Sequence, residues 1–160
     1  MGIDDDLGLA LAKGQLAAGT ALPVSGTVFI SVRDNDKQTM LAPAKALVEM
    51  DFDLIATSGT AEFLKSNDIP CEPVNKISQG RPHILDKMQD NQISWVVNTS
   101  MGRRATEDSY AIRRAALELH IPYTTTATGA VAFAMAMKAM SEKEIDVQPV
   151  QYFTRKIKPC

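Results

Sequence analysis

The sequence predicts an α/β domain built on a five-stranded parallel sheet flanked by helices. Two observations carry that expectation. Short β-branched or apolar runs alternate five times with stretches whose apolar residues recur at helical spacing, the pattern of parallel strands joined by right-handed crossovers. The chain has 160 residues, 45% hydrophobic and 22% charged, which suits one globular domain with a real core.

Each element has its own justification. Leu7, Leu9, Leu11 and Leu16 predict a partial helix over residues 4–16, followed by a linker rich in turn residues. Residues 1–25 thus read as a lead-in from a preceding region, residues 26–153 as the domain proper, and residues 154–160 as a basic tail. Thr27-Val28-Phe29-Ile30-Ser31-Val32 is a first, well-buried strand. Arg33-Asp34-Asn35-Asp36-Lys37 is a polar turn, and Met40, Leu41, Ala44, Leu47 and Val48 then form one helical face with Pro43 in its first turn. Asp53-Leu54-Ile55-Ala56 is the second strand, and the helix after it carries Ala61 and Leu64 inward. Residues 69–74 are extended, and Pro70 and Pro73 place them at a sheet edge. A polar loop follows, with Pro82 in the first turn of a short helix containing Ile84, Leu85 and Met88.

Ile93-Ser94-Trp95-Val96-Val97-Asn98 is the fourth strand. A long helix comes next, with Ile112, Ala115, Ala116 and Leu119 on one side and Arg113, Arg114 and Glu118 on the other. Residues 121–125 are a short fifth strand. The apolar stretch 130–140 is too short for a bilayer and reads as a buried helix. Ser141-Glu142-Lys143-Glu144 matches a capping box for one further turn, and residues 147–153 read as a last edge strand.

The stretch that points to chemistry is Thr57-Ser58-Gly59-Thr60, set between a strand and a helix. A helix start offers unpaired N–H groups and the positive end of a dipole, so it can hold an anion. Gly59 lets a ligand approach the backbone, and the hydroxyls add hydrogen bonds. The same residues also describe an ordinary capped helix start. In a parallel sheet the loops after the strands gather at one rim, which would bring together Lys37, Thr57 to Thr60, Lys76 and the Asn98-Thr99-Ser100 turn.

Composition excludes several classes. Net charge is −2 without a broad basic field, which argues against nucleic-acid binding. No apolar run approaches the ~20 residues of a membrane helix. The start, Met1-Gly2-Ile3-Asp4-Asp5-Asp6, is unlike a signal peptide, and the separated Cys71 and Cys160 suggest a reduced, cytoplasmic setting. His83 and His120 stand apart from any Cys/His cluster, so no metal is expected. Neither a Walker loop nor G-x-G-x-x-G is present.

Several runs together resemble a known family: Asp36-Lys37, Ala56-Thr57-Ser58-Gly59-Thr60-Ala61, Val74-Asn75-Lys76, Gln79-Gly80-Arg81-Pro82-His83-Ile84, and the run from Asn98-Thr99-Ser100-Met101-Gly102-Arg103-Arg104 to Ser109. In this order and spacing they resemble the C-terminal allosteric domain of the carbamoyl-phosphate synthase large chain, over roughly residues 1–153. The resemblance implies a Rossmann-like, methylglyoxal-synthase-like fold. It implies a parent enzyme that makes carbamoyl phosphate from glutamine, bicarbonate and ATP for pyrimidine and arginine synthesis. ATP with Mg or Mn would serve the rest of that enzyme, and this domain would hold no cofactor and catalyse nothing.

Its implied partners are the rest of the large chain, the glutaminase small chain and a nucleotide effector, UMP or IMP. The resemblance assigns effector binding to Lys37, Thr57, Ser58, Gly59, Thr60, Lys76, Asn98, Thr99 and Ser100, with the phosphate on Lys37, Thr57, Gly59 and Thr60. Thr124 stands where some ornithine-responsive members carry an aspartate, and a threonine cannot pair with an amine as a carboxylate does, which weakens the case for ornithine as a further effector. Arg81, Arg103 and Arg104 would touch the effector, pair with Glu107 or Asp108, or face the rest of the enzyme. Asp108 would cap or brace the long helix.

Two enzyme readings compete. A methylglyoxal synthase needs a carboxylate base beside its phosphate seat. Here the stretch after the fourth strand, Met101-Gly102-Arg103-Arg104, is cationic. A cyclohydrolase of purine synthesis with the same fold is the other.

Overall fold

A computed structural model describes residues 1–99 and 103–154. The chain runs through α1 (Leu7–Ala17), β1 (Gly26–Ser31), α2 (Asp34–Lys37), a 3-10 turn (Gln38–Met40), α3 (Leu41–Glu49), β2 (Phe52–Thr57), α4 (Ser58–Lys65) and β3 (Glu72–Val74). It continues through a second 3-10 turn (Ile77–Gln79), α5 (Ile84–Gln89), β4 (Ile93–Asn98), α6 (Arg103–Glu118), β5 (Tyr123–Thr124), α7 (Ala127–Glu142) and α8 (Val150–Thr154). The five strands form one sheet in the order β3-β2-β1-β4-β5, and every neighbouring pair is parallel.

Both faces of this sheet are covered, which is why its central strands are apolar throughout rather than alternating. Side chains of successive residues point to opposite faces. Val28 and Ile30 of β1, with Trp95 and Val97 of β4, join a core containing Ala44 and Leu47 of α3, Ala61 and Leu64 of α4, and Phe133 and Met137 of α7. Phe29 and Val96 join the opposite core with Ile84 and Met88 of α5 and Ile112 and Ala116 of α6. Trp95 is fully buried and stacks on Phe133 with ring centroids 4.7 Å apart.

The helix of the first 25 residues packs on the domain. Gly8 of α1 meets α7 so closely that a Cβ there would lie 2.6 Å from the Ala139 Cβ. Ala12 and Leu22 are buried in the main core, and Asp6 pairs with Lys143 just past α7.

Among the described residues, four helices end in a left-handed residue that is not glycine: Asp51, Asp68, Asn91 and His120. Short polar side chains tolerate that conformation better than most. After α4, α5 and α6 it lets the next N–H turn back onto the last helical turn, as in Ile69 N–H to Leu64 O, Gln92 N–H to Lys87 O and Ile121 N–H to Ala116 O.

The structure corrects the expected elements in five places. The polar turn 33–37 is helical from Asp34, so α2, the 3-10 turn and α3 follow one another directly. The third strand starts at Glu72 rather than 69, leaving only Pro73 inside it, on the sheet edge as expected. Pro82 precedes α5 instead of lying in its first turn, because His83 is the N-cap residue.

Ser141 starts no new turn. It lies within α7, where its hydroxyl donates to Lys138 O. The last strand expected over residues 147–153 is instead the helical turn α8, closed by Tyr152 N–H to Pro149 O. Proline is well placed just before a helix, where no N–H is needed, and β5 at the sheet edge has only two residues to pair with.

Candidate functional site

Strand order sets the location of the site. Crossovers from β1 to β2 and β3 carry α3 and α4 on one face, and those from β3 to β4 and β5 carry α5 and α6 on the other. The reversal falls between β1 and β4, and a crevice opens beyond the C-terminal ends of those strands. Two adjoining cavities of about 360 and 440 Å³ lie there. Both are lined by Ser31 at the end of β1, Thr57 at the end of β2, Lys76 after β3 and Thr99 after β4.

The start of α4 is unusual in what its hydroxyls do. Thr57 occupies the N-cap position but makes no side-chain capping bond. Its hydroxyl donates to Thr60 Oγ1 at 3.3 Å, and Thr60 Oγ1 is 3.5 Å from the carbonyl of Val32 on the neighbouring loop. Both threonines are buried, while Gly59 is exposed. The α4 N-terminus therefore keeps its positive dipole end without a capping hydroxyl.

A cation faces this start. A Cβ placed on Gly59 would lie 3.7 Å from Lys37 Nζ. Lys37 Nζ also sits 5.9 Å from the centroid of the Phe63 ring and 2.7 Å from Asp34 Oδ1. The hydrogen bond from Lys37, with the field of Lys37 and Lys76, holds the Asp34 carboxyl below the usual range.

The β4 end is braced. Asn98 is buried, and its carbonyl and its Oδ1 accept from Arg113 Nη2 at 3.3 and 3.4 Å. The Thr99 N–H donates to Ser31 O at 3.0 Å, and Thr99 Oγ1 accepts from Arg33 N–H at 3.1 Å. Arg33 in turn pairs with Asp36 at 2.7 Å and, with lesser help from the Thr99 hydroxyl, holds its carboxyl low. Lys76 N–H donates to Gln79 Oε1 at 2.8 Å, which shapes the loop that carries the Lys76 side chain.

Of the expected site residues, Lys37, Thr57, Ser58, Gly59, Thr60, Lys76, Asn98 and Thr99 all lie at this one rim of the sheet. Ser100 lies outside the described residues, as do Met101, Gly102 and the tail from 155 to 160, while nothing is described of the Arg103 and Arg104 side chains. Arg81 pairs with Asp86 at the start of α5 rather than with Glu107 or Asp108. Asp108 Oδ2 accepts from Ser78 Oγ at 3.3 Å, which ties α6 to the 3-10 turn, and Asp108 also lines the smaller of the two cavities.

Sequence reasoning missed Asp34, along with Ser31 and Arg33. The signal for Asp34 was its spacing three before Lys37, which brings two side chains together only if the turn is helical.

At the opposite edge of the sheet a cavity of about 330 Å³ is lined by Thr27, Phe52, Cys71 and Ile93, and none of the candidate residues reaches it. Burial pushes the Cys71 thiol up to about 11, leaving it protonated and inert. Among the described residues no cluster of His, Cys, Asp and Glu could hold a metal, and no helix is long and apolar enough to cross a membrane.

Comparisons with known proteins accord with this architecture. The model of the MGS-like domain family matches residues 39–125, which includes Thr57 to Thr60, Lys76 and the Asn98 turn and begins two residues after Lys37. The chain is 46% identical over 153 residues to a carbamoyl phosphate synthase large chain from Mesorhizobium japonicum, covering 96% of this chain and 13% of that protein. It is 44% identical over 154 residues to the large chain of Archaeoglobus fulgidus, covering 96% of this chain and 14% of the relative. It is 45% identical over 159 residues to the C-terminal section of the Methanocaldococcus jannaschii large chain, covering 99% of this chain and 26% of the relative. The chain thus spans between 13% and 26% of the length of these curated relatives.

A crystal structure of methylglyoxal synthase from Elizabethkingia anophelis superposes with a TM-score of 0.58 at 15% identity, covering 86% of this chain and 95% of the synthase, a likeness of fold. With more than half of its residues under the family model, and with nearly its whole length matched by these relatives, this chain belongs to the MGS-like domain family.

Proposed function

We propose that this chain is the allosteric regulatory domain of a carbamoyl-phosphate synthase large chain, and that it reads a nucleoside monophosphate, UMP or IMP, through its phosphate. The observation that carries the reading is the start of α4. Its threonine hydroxyls are turned away from the helix N–H groups, Gly59 is open, and Lys37 Nζ stands over it. The phosphate would sit on that helix start between Lys37 and Lys76, where charge-assisted bonds contribute about 1.5–3 kcal/mol each before desolvation. The effector would act by binding two states of the parent enzyme unequally, with a coupling of about 1–3 kcal/mol.

In this reading the parent carries out ATP-dependent synthesis of carbamoyl phosphate from glutamine and bicarbonate, for pyrimidine and arginine formation, in the cytoplasm. ATP and its Mg or Mn belong to the rest of the large chain, and the glutaminase small chain supplies ammonia. Thr124 weakens the case for ornithine as a further effector, since it cannot pair with an amine as a carboxylate does.

The lyase reading has less support. Asp34 and Asp36, at the rim, are tied to Lys37 and Arg33 and held low, which is the wrong direction for a general base.

Isothermal calorimetry of this chain with UMP and with IMP tests the proposal. Saturable binding of at least one is expected, and a flat trace with both would count against it. Lys76→Ala is expected to weaken that binding by at least about tenfold without changing the melting temperature. An unchanged affinity would remove Lys76 from the site.

A further inference from the structure

The phosphate seat already has an anion at its edge, and it belongs to the protein. Asp34 Oδ1 lies 2.7 Å from Lys37 Nζ, the lysine that stands over Gly59 at the α4 start. Asp34 also lines the same cavity as Thr57, Lys76 and Thr99. We propose that the Asp34 carboxylate is an internal competitor for the anion seat, which a phosphate must displace from Lys37 to bind.

Three observations favour competition over mere support. First, the turn that carries Asp34 has a second ion pair of its own. Asp36 pairs there with Arg33 beside the Thr99 hydroxyl, while the Asp34 side chain is 91% exposed. Second, Asp34 lies within the field of Lys76 as well as bonded to Lys37, so it feels both cations assigned to the phosphate. Third, the Lys37 ammonium is held over the α4 start by Phe63 as well, so its position does not rest on Asp34 alone.

The consequence is selectivity by charge. A phosphate monoester carries close to two negative charges at neutral pH, more than the single charge of Asp34. It can therefore take Lys37 from the carboxylate, whereas a singly charged anion would meet an equal rival. Removing the Asp34 charge should tighten binding of every anion, and should tighten weak singly charged ones most.

This inference rests on the phosphate seat proposed above, and the test separates the two. Calorimetry would compare wild type, Asp34→Asn, Asp34→Glu, Lys37→Ala, the Asp34→Asn/Lys37→Ala pair and Lys76→Ala, each with UMP, IMP and inorganic phosphate. Asp34→Asn is expected to tighten nucleotide binding roughly three- to fivefold, the size of an exposed ion pair. Asp34→Glu should stay near wild type, and the gain should vanish in the Lys37→Ala background, because the competition acts through that lysine. Unchanged or weaker binding by Asp34→Asn, while Lys76→Ala still weakens it, overturns the competitor and leaves the seat standing. If Lys37→Ala and Lys76→Ala both bind as wild type does, the seat itself falls and the competitor with it.

Discussion

Two helix starts at the same rim of the sheet carry threonine at the N-cap, and the two threonines behave differently. At α7 the Thr126 hydroxyl accepts from Gly129 N–H at 3.0 Å and closes its own helix. At α4 the Thr57 hydroxyl turns instead to Thr60, and no side chain caps the helix. Two further starts carry a carboxylate bond. Asp6 accepts from Leu9 N–H at 3.1 Å in α1, and Asp86 accepts from His83 N–H at 2.8 Å in α5. The difference teaches that a cap-forming residue type does not reveal whether a helix end is closed. An end left open beside a lysine is a place for a ligand, and one closed by its own hydroxyl is structural.

Breaking the comparison at α4 should produce the largest effect. Gly59→Asp places a carboxylate at the helix start within reach of Lys37, where the dipole welcomes it. Nucleotide affinity is expected to fall by more than about tenfold with the fold's stability kept, as read by calorimetry and chemical denaturation. Retained affinity would mean that the ligand does not use this end of α4.

The converse change at α7 should be smaller and of the opposite kind. Thr126→Ala is expected to cost about 1 kcal/mol of stability, the loss of a cap, and to leave nucleotide affinity alone. Emission from the buried, stacked Trp95 gives the unfolding signal.

The smallest effect concerns α5, whose start is closed by a carboxylate rather than a hydroxyl. The hydrogen bond from Arg81, then the His83 N–H, hold the Asp86 carboxyl down to about 2, against about 3.9 in an unfolded chain. A depressed folded value means that the contribution is present above about pH 4 and is lost as pH falls through about 2. Asp86→Asn should flatten the fall of stability across that window and leave affinity at neutral pH unchanged. A slope identical to wild type would remove Asp86 from the acid response.

Much of this was legible residue by residue. Val28 to Ile30, Leu54 to Ala56 and Trp95 to Val97 announce buried strands because strands covered on both faces need apolar side chains at every position. Thr57 to Thr60, Lys76 and Asn98 stood out because each follows a strand, where parallel sheets gather their loops. Asp34 did not stand out, since its reach to Lys37 depends on the helical form of a segment that reads as a loop. The segment ending in Tyr152 and Phe153 has strand-like composition, and Pro149 and the lack of a long edge to pair with turned it helical instead.

By itself the sequence determined the five parallel strands and the main helices between them, and put hydroxyls and lysines after the strand runs, because periodicity and turn chemistry act over a few neighbours. Tertiary structure alone decided that β1 lies between β2 and β4, and so which loops share a crevice. It also decided where the hydroxyls of α4 point. Thr60 turns toward a carbonyl 28 residues away, and a partner that distant is chosen by packing, which no local stretch of chain encodes.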